Sequence, residues 1–306
     1  MRRYLLSRLA QLLPVVFGVV TIVFLLIHLI PGDPVDIMLG ESAVAAQREE
    51  LRRELKLDRP IAEQYLEFLG GLAGGDLGLS FRSREPVLRE ILSRFPATLL
   101  LAGAALCVAL LVAVPLGILS AMRQHSLLDH LCAVVAMLGL SMPNFWLGPL
   151  LILVFSIHLG IFPVAGYGTA RHLFLPALTM GTGMAAILMR MLRSSLLEEI
   201  RQEYVRVAAS KGLSRTGAIL RHALKNSAIP VLTVLGLQFG ALLGGSIITE
   251  TIFSWPGIGR LLVQAIDARD YPLVQGCVLF IALCTVAVNL STDLLYSRLD
   301  PRIRHG

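Results

Sequence analysis

The sequence predicts an all-α, polytopic membrane protein, and three observations carry that prediction. Hydrophobic residues make up 55% of the 306 residues and charged residues only 16%, with a mean hydropathy of +0.72; a soluble domain carries about 25% charge. Six apolar runs are each long enough for a bilayer, which takes roughly 20 helical residues to cross. The segments between those runs alternate in charge.

The runs fall at Leu9–Ile30, Phe95–Leu119, Leu131–Ile157, Leu173–Leu192, Ala228–Thr249 and Leu273–Leu295. The first opens like a signal peptide, with Arg2, Arg3 and Arg8. Its apolar stretch outruns a signal core and no small-x-small cleavage site follows, so it reads as a retained first span. The first three runs are spans by length alone. The fourth is weaker, since Met, Gly and Thr replace aliphatics and the run closes near Arg190. The last two carry Glu250 and Asp293 near their ends, as in helices that face protein rather than lipid.

Six spans put both termini on one side. Segments on that side hold Arg2, Arg3, Arg8, Arg123, eight basic residues from Arg190 to Lys225, and Arg298, Arg302 and Arg304, for a net charge of +10. The opposite segments net −2, and Glu250 and Asp293 complete the formal +6. The positive-inside rule therefore puts both termini in the cytoplasm. This asymmetry accounts for the basic balance without nucleic acid.

The expected organisation is a first span over 1–30, an extracytoplasmic cap or lid over 31–94, a core of spans over 95–297 and a tail over 298–306. Within the cap, the charges and leucines from Gln47 to Leu69 predict one or two amphipathic helices, divided by Pro60. A glycine cluster at Gly70, Gly71, Gly74, Gly75 and Gly78 follows. Further outer loops are expected at Gly160–Arg171 and Phe253–Pro272, with Trp255 in an interfacial ring.

Catalytic chemistry is not legible. There is no phosphate-binding loop, no HExxH and no GxSxG. Cys107, Cys132, Cys277 and Cys284 lie in apolar runs without metal spacing and read as small buried hydrophobes. No catalytic residue, metal site or resident cofactor is expected, so any energy source must be an ion or another polypeptide.

The informative cytoplasmic stretch lies between runs four and five, with a core over 198–226. Leu196, Leu197, Ile200, Tyr204, Val207 and Ala208 recur at near-helical spacing, predicting an amphipathic helix. Ala208, Ala209 and Ser210 precede Gly212, which suits a turn or helix C-cap, and a second short helix is expected from Thr216 through Ala223. Small side chains there let a partner approach the backbone; a basic helix resting on anionic lipid is the alternative. In run five, Gly236, Gly240 and Gly244 share a face suited to close helix packing. Gln238, Ser246, Glu250 and Asn289 are the candidates for a polar path. Asn289 and Asp293 share a face and are expected to latch onto Arg190.

Four motifs carry a resemblance. PGDP closes the first run at Pro31–Pro34, and LKLDRPIAEQYLEFLGGLAGGDLGLSFRSREPV runs from Leu55 to Val87. EYVRVAASKGLS runs from Glu203 to Ser214, and GGSIITETIFSWPGIGRLLVQAIDARDYPLVQG from Gly244 to Gly276. Together these resemble the bacterial ATP-binding-cassette importer permeases of the dipeptide/oligopeptide/nickel family. More narrowly, they resemble the first permease subunit, the one with a long external loop. The resemblance implies the type I importer fold in the bacterial inner membrane, paired with a homologous second permease. It also implies two cytoplasmic ATPases, which use ATP and Mg, and an extracytoplasmic substrate-binding protein.

By the same resemblance, Tyr204, Val207, Ala208, Ala209, Lys211 and Gly212 contact an ATPase. Val207 stands where the family pattern has glutamate, which weakens a specific salt bridge there. Asp76, Ser80, Trp255, Pro256, Gly257 and Gly259 are expected at the outer mouth or against the binding protein. Dipeptides, longer peptides, glutathione and chelated nickel are the substrate classes implied. From the residues alone, an ion-coupled carrier or channel and a membrane assembly protein stay open.

Overall fold

The computed structural model describes residues 13–25, 35, 45–54 and 58–299. Pro31–Pro34, Leu55–Leu57, the side chain of Asp293 and the tail from residue 300 lie outside the described residues, and with them the latch expected between Asp293 and Arg190. The described chain is helical, and its one extended pairing is an isolated bridge between Leu79 and Pro86.

In order the helices are α1 (Leu13–Leu25), α2 (Ala45–Glu54), α3 (Ile61–Ala73), α4 (Val87–Met122), α5 (Leu127–Ser141) and α6 (Asn144–Leu151), which runs on as π-helical turns over Ile152–His158. Then come α7 (Ala170–Ile200), α8 (Glu203–Ser210), α9 (Arg215–Ala218), a π-helical stretch over Ile219–Ala223, α10 (Leu224–Gly245), α11 (Ile247–Ile252), α12 (Ile258–Asp267) and α13 (Tyr271–Leu299).

Among the described residues four stretches are each, as a single helical segment, long and apolar enough to cross a membrane: Val87–Met122, Ala170–Ile200, Arg215–Gly244 and Tyr271–Thr292. At 1.5 Å per residue α4 is about 54 Å long, well beyond the roughly 30 Å hydrocarbon core. The third run departs from expectation. It is a pair of helices, α5 and α6, bent by 103°, and counting the pair as one span gives five. The break falls at Met142 (φ −84, ψ 112), because a residue before proline is driven out of the helical region, and Pro143 follows. The expected first span is described only over α1.

The chain forms two compact units. The first comprises the described residues of Met1–Thr98 and Pro256–Cys284. Val20 and Val23 of α1 and Leu279 of α13 are buried there among Phe68, Leu69, Leu72 and Leu77. The amphipathic pair divided at Pro60 is present as α2 and α3, and α3 meets α1 through Tyr65. Its hydroxyl lies 2.7 Å from Thr21 Oγ1, and its ring is 5.1 Å from that of Phe24. The expected loop over Phe253–Pro272 instead contains α12, whose Ile258, Leu261, Leu262 and Ala265 are buried.

The second unit comprises Leu99–Trp255 and the described residues of Thr285–Gly306. Its core is α7: Met184, Ala185, Leu188, Met189 and Leu192 pack against Ala109 and Ala113 of α4, Cys132 and Ala136 of α5, and Val231 of α10. This explains the composition of the fourth run. Its most apolar stretch is 61% buried, against 22–28% for the other three single spans, so small and polar residues face protein rather than lipid. A Cβ on Gly181 would sit 2.8 Å from the Ala105 carbonyl. Likewise Gly236 lets α10 meet α13, since a Cβ there would lie 2.3 Å from Thr292 Cγ2. Trp255 is only 1% exposed, with the ring of Tyr167 4.8 Å away, so it anchors the fold instead of joining an interfacial ring.

Candidate coupling surface

The expected continuous helix through Leu196 and Ala208 is broken. α7 ends at Ile200, and Gln202 (φ −69, ψ 149) is extended before α8 begins. α8 turns Val205 and Ala208, one helical turn apart, into a buried cluster with Ala121, Leu196, Ala218, Ile219 and Ala223. Its other face is open: Glu203, Tyr204, Arg206, Val207, Ala209 and Ser210 are exposed. The helix is closed by Lys211 N donating to the Val207 carbonyl at 3.1 Å and Gly212 N to that of Ala209 at 3.0 Å. Gly212 takes φ +91 with nothing within 4 Å of a Cβ, a backbone conformation that favours glycine.

Five of the six expected contact residues therefore share an exposed surface, and Ala208 points inward as part of its seat. The Tyr204 hydroxyl donates to the Glu199 carboxylate and accepts from Asn226 Nδ2 at 3.0 Å, tying α8 to both α7 and α10. Burial first, and Glu199 second, hold the Tyr204 phenol above its ordinary pKa, so it remains a donor at neutral pH. The short helix after the elbow is present as α9, capped by Ser214 Oγ accepting from Gly217 N at 3.1 Å. It continues into the π-helical stretch, a local distortion often found at functional sites.

What holds this seat was not legible in the sequence. Asp129 at the start of α5 accepts from Arg193 Nε and Nη2, both at 2.8 Å, and from His125 N at 3.0 Å. Ser120 Oγ of α4 also donates to it, and Arg193 Nε is 3.0 Å from that same oxygen. Side-chain exposure is 7% for Asp129 and 29% for Arg193. The S-x-x-D spacing of Ser126 and Asp129 was the one available signal, marking a helix start. Arg193 gave no sign of its partner.

The remaining expected residues are scattered. Ser246 Oγ donates to Glu250 Oε1 at 3.0 Å and both are fully buried, so Glu250 is not solvated. Asn289 Oδ1 lies 3.1 Å from where a Cβ on Gly240 would be, and Gln238 is half-buried on α10. Asp76 is exposed and accepts from Gly78 N at 2.8 Å. Ser80 is buried and donates to Asp270 Oδ2, whose carboxylate also accepts from the backbone N–H groups of Phe81, Arg82 and Leu273 at 3.1–3.3 Å. Trp255, Gly257 and Gly259 are buried and Pro256 half-buried, with Ile258 N donating to Thr98 Oγ1 at 2.9 Å. Among the described residues no cluster of His, Cys, Asp or Glu suits a metal.

Residues 113–305 match the family described as the binding-protein-dependent transport system inner membrane component, and residues 1–102 match its N-terminal region. The chain belongs to this family. It is 42% identical to the dipeptide transport system permease protein DppB of Escherichia coli over 100% of this chain and 99% of that one. To the di/tripeptide permease DppB of Pseudomonas aeruginosa it is 44% identical, at the same coverage. It is also 42% identical to the glutathione transport system permease protein GsiC of Escherichia coli over the full length of both. Its fold resembles that of the MetNI methionine ABC transporter, with a TM-score of 0.58 and 16% identity over 71% of this chain and 99% of that chain. The chain is therefore a multi-pass inner-membrane permease subunit of an ABC importer and not a catalyst.

Proposed function

We propose that this chain forms half of the translocation pathway of an ATP-driven importer for di- or oligopeptides, glutathione-like peptides included. In this reading a homologous second permease supplies the other half. Two cytoplasmic ATPases bind ATP and Mg, which this chain does not, and an extracytoplasmic binding protein delivers the substrate. Six spans with both termini in the cytoplasm are the matching topology. The observation that carries the mechanism is the exposed face of α8 and Gly212, mounted on a buried apolar seat.

ATPase closure pushes on Tyr204, Val207, Ala209, Lys211 and Gly212. Because Val205 and Ala208 are packed into the cluster below, the push moves α7 and α10 rather than α8 alone, and the pathway alternates between its two faces. Gln238, Ser246, Glu250 and Asn289 are the pathway candidates, and the loop at Asp76 is the candidate contact for the binding protein. Ser80, Trp255, Pro256, Gly257 and Gly259 remain candidates for the outer mouth, although Ser80, Trp255, Gly257 and Gly259 are buried. The similarity to peptide and glutathione permeases favours a peptide substrate.

The test uses the reconstituted complex of both permeases, ATPases and binding protein. ATP hydrolysis is expected to rise with peptide-loaded binding protein, and a Val207→Cys variant is expected to cross-link to an ATPase cysteine. Hydrolysis indifferent to loaded binding protein would overturn the importer reading. Calorimetric titration of the binding protein with dipeptides, longer peptides, glutathione and nickel chelates identifies the substrate.

A further inference from the structure

The ends of α4 and α7 and the start of α9 enclose a single cleft of about 370 Å³. Arg123, Arg201 and Arg215 all line it, and no acidic residue does. The three arginines are exposed, and none has a described carboxylate within ion-pair distance. Three like charges around one small space repel each other until an anion enters between them.

The floor of the same cleft is apolar. Ala121, Leu197, Ile200 and Ile219 form it, and all four belong to the cluster that seats Val205 and Ala208 of α8. Arg201 precedes α8 by two residues and Arg215 opens α9 beyond the Gly212 elbow, so the chain on both sides of the coupling helix contributes to the cleft. On the open face of α8, Arg206 Nη2 lies 3.4 Å from the Arg201 carbonyl, so one side chain spans from that face to the cleft. α7 also carries Arg201 nine residues beyond Leu192, where its apolar run closes. That is about 13 Å along the helix, whereas the headgroup layer is only about 5–8 Å deep. Arg201 therefore stands past the headgroups, within reach of a protein partner. A free inorganic anion would leave the apolar floor uncovered.

We propose that this cleft is a second anchorage for the ATPase that docks on α8. It takes a short ATPase segment with carboxylates for Arg123, Arg201 and Arg215 and an apolar side chain for the floor. The proposal rests on the reading of α8 as the ATPase-docking surface, and it adds a direction of force. Contact with the open face of α8 transmits a push as the ATPases close. Opposite charges held in a cleft resist separation, so the anchorage transmits the pull when the ATPases part.

A carbodiimide joins an amine to a carboxylate only where the two touch, and Arg201→Lys and Arg215→Lys supply the amine without changing the charge. In the purified complex of both permeases and ATPases, each variant is expected to link through that position to an aspartate or glutamate of the ATPase, identified by mass spectrometry. Arg201→Gln and Arg215→Gln should each weaken ATPase association about tenfold, the value of one hydrogen bond to a charged group, and flatten its dependence on salt. Both residues are exposed and unpaired, so the thermal midpoint of the chain should not move. Arg190→Gln, which removes an exposed arginine of α7 outside this cleft, should leave association unchanged. Links only within this chain or to the second permease would overturn the proposal, as would equal weakening by Arg190→Gln. Unchanged ATPase association in the glutamine variants, with loss of bound phosphatidylglycerol or phosphate, would assign the cleft to another anion and overturn it too. The Val207→Cys cross-link on the same complex separates the two readings. If it forms while positions 201 and 215 stay unlinked, the second anchorage fails and the coupling surface stands; if it also fails, both fall.

Discussion

Replacing Arg193 with methionine isolates the contribution of the buried ion pair. Methionine keeps an apolar stem of similar length but removes the guanidinium. Asp129 then loses two charge-assisted hydrogen bonds of 2.8 Å and keeps only Ser120 Oγ and His125 N as donors. Breaking a buried pair by removing one partner costs about 3–5 kcal/mol. Arg193 is 29% exposed, so water replaces part of what is lost, and a loss near the bottom of that range, about 3 kcal/mol, is expected. In a thermal unfolding scan of the purified chain at a fixed heating rate, this should lower the apparent midpoint by roughly 5 °C or more. The comparator is Arg89→Gln, which breaks an exposed i, i+4 pair with Glu85 at 3.2 Å and should shift the midpoint very little, since such pairs contribute about 0.3–0.5 kcal/mol. The double variant Arg193→Met/Asp129→Leu should recover most of the loss, because no uncompensated carboxylate remains. An Arg193→Met midpoint indistinguishable from that of Arg89→Gln would refute the reasoning.

Three other substitutions test separate parts of the structure. Gly236→Val places a side chain where Thr292 Cγ2 stands 2.3 Å from the added Cβ; a loss of about 1–3 kcal/mol is expected, partly restored by Thr292→Ala, and read by the same thermal scan. Gly212→Trp should insert in the membrane at normal levels yet abolish uptake, because the ring blocks docking; Gly212→Asn, which tolerates φ +91 better, should retain uptake, and full transport by the tryptophan variant would count against the coupling surface. Ser80→Ala removes one of four described donors from the buried Asp270 carboxylate, and at about 1.5–3 kcal/mol for a hydrogen bond to a charged group should make the 73–86 segment of the purified protein markedly more sensitive to protease, with unchanged sensitivity as the contrary result.

The sequence made some of this legible and hid the rest for identifiable reasons. Apolar runs and the break at Pro60 announce helices because a bilayer demands length and proline forbids continuation, and the small residues of run five foretold the close approach at Gly236. The bend between α5 and α6 was hidden because Leu131–Ile157 is apolar throughout: hydrophobicity reports what surrounds a helix, not whether its axis is straight. α12 was missed because its polar turns, among them Arg260 and Gln264, resemble a loop until its buried face is known. The break before α8 escaped because Ile200 and Tyr204 are spaced as in one helix, though Gln202 between them is extended. The exposed face of α8 was readable from its pattern of small residues, but the inward turn of Ala208 was not. Asp129 and Arg193, 64 residues apart, carry no pattern linking them; only packing of α5 on α7 creates the pair.

The position of that pair bears on how force reaches the membrane. Arg193 lies one turn before Leu196 on α7, and Leu196 is fully buried in the cluster that seats Val205 and Ala208. The ion pair therefore fixes α7 to Ser120 of α4 and to the start of α5, directly behind the surface on which α8 rests. A seat backed by apolar contacts alone would let α8 slide, since hydrophobic burial is non-directional. A bidentate guanidinium–carboxylate pair has a defined geometry and resists rotation as well as separation. On the proposed coupling role, displacement of α8 would be delivered to α4, α5 and α7 together. This is the requirement for a rigid-body switch: the motion must be carried by packed elements with few soft joints. It also predicts how the ion pair differs from ordinary stabilising contacts. Arg193→Met should reduce transport per ATP hydrolysed, measured well below its own unfolding midpoint, whereas Gly236→Val at matched stability should leave that ratio closer to the unmodified complex.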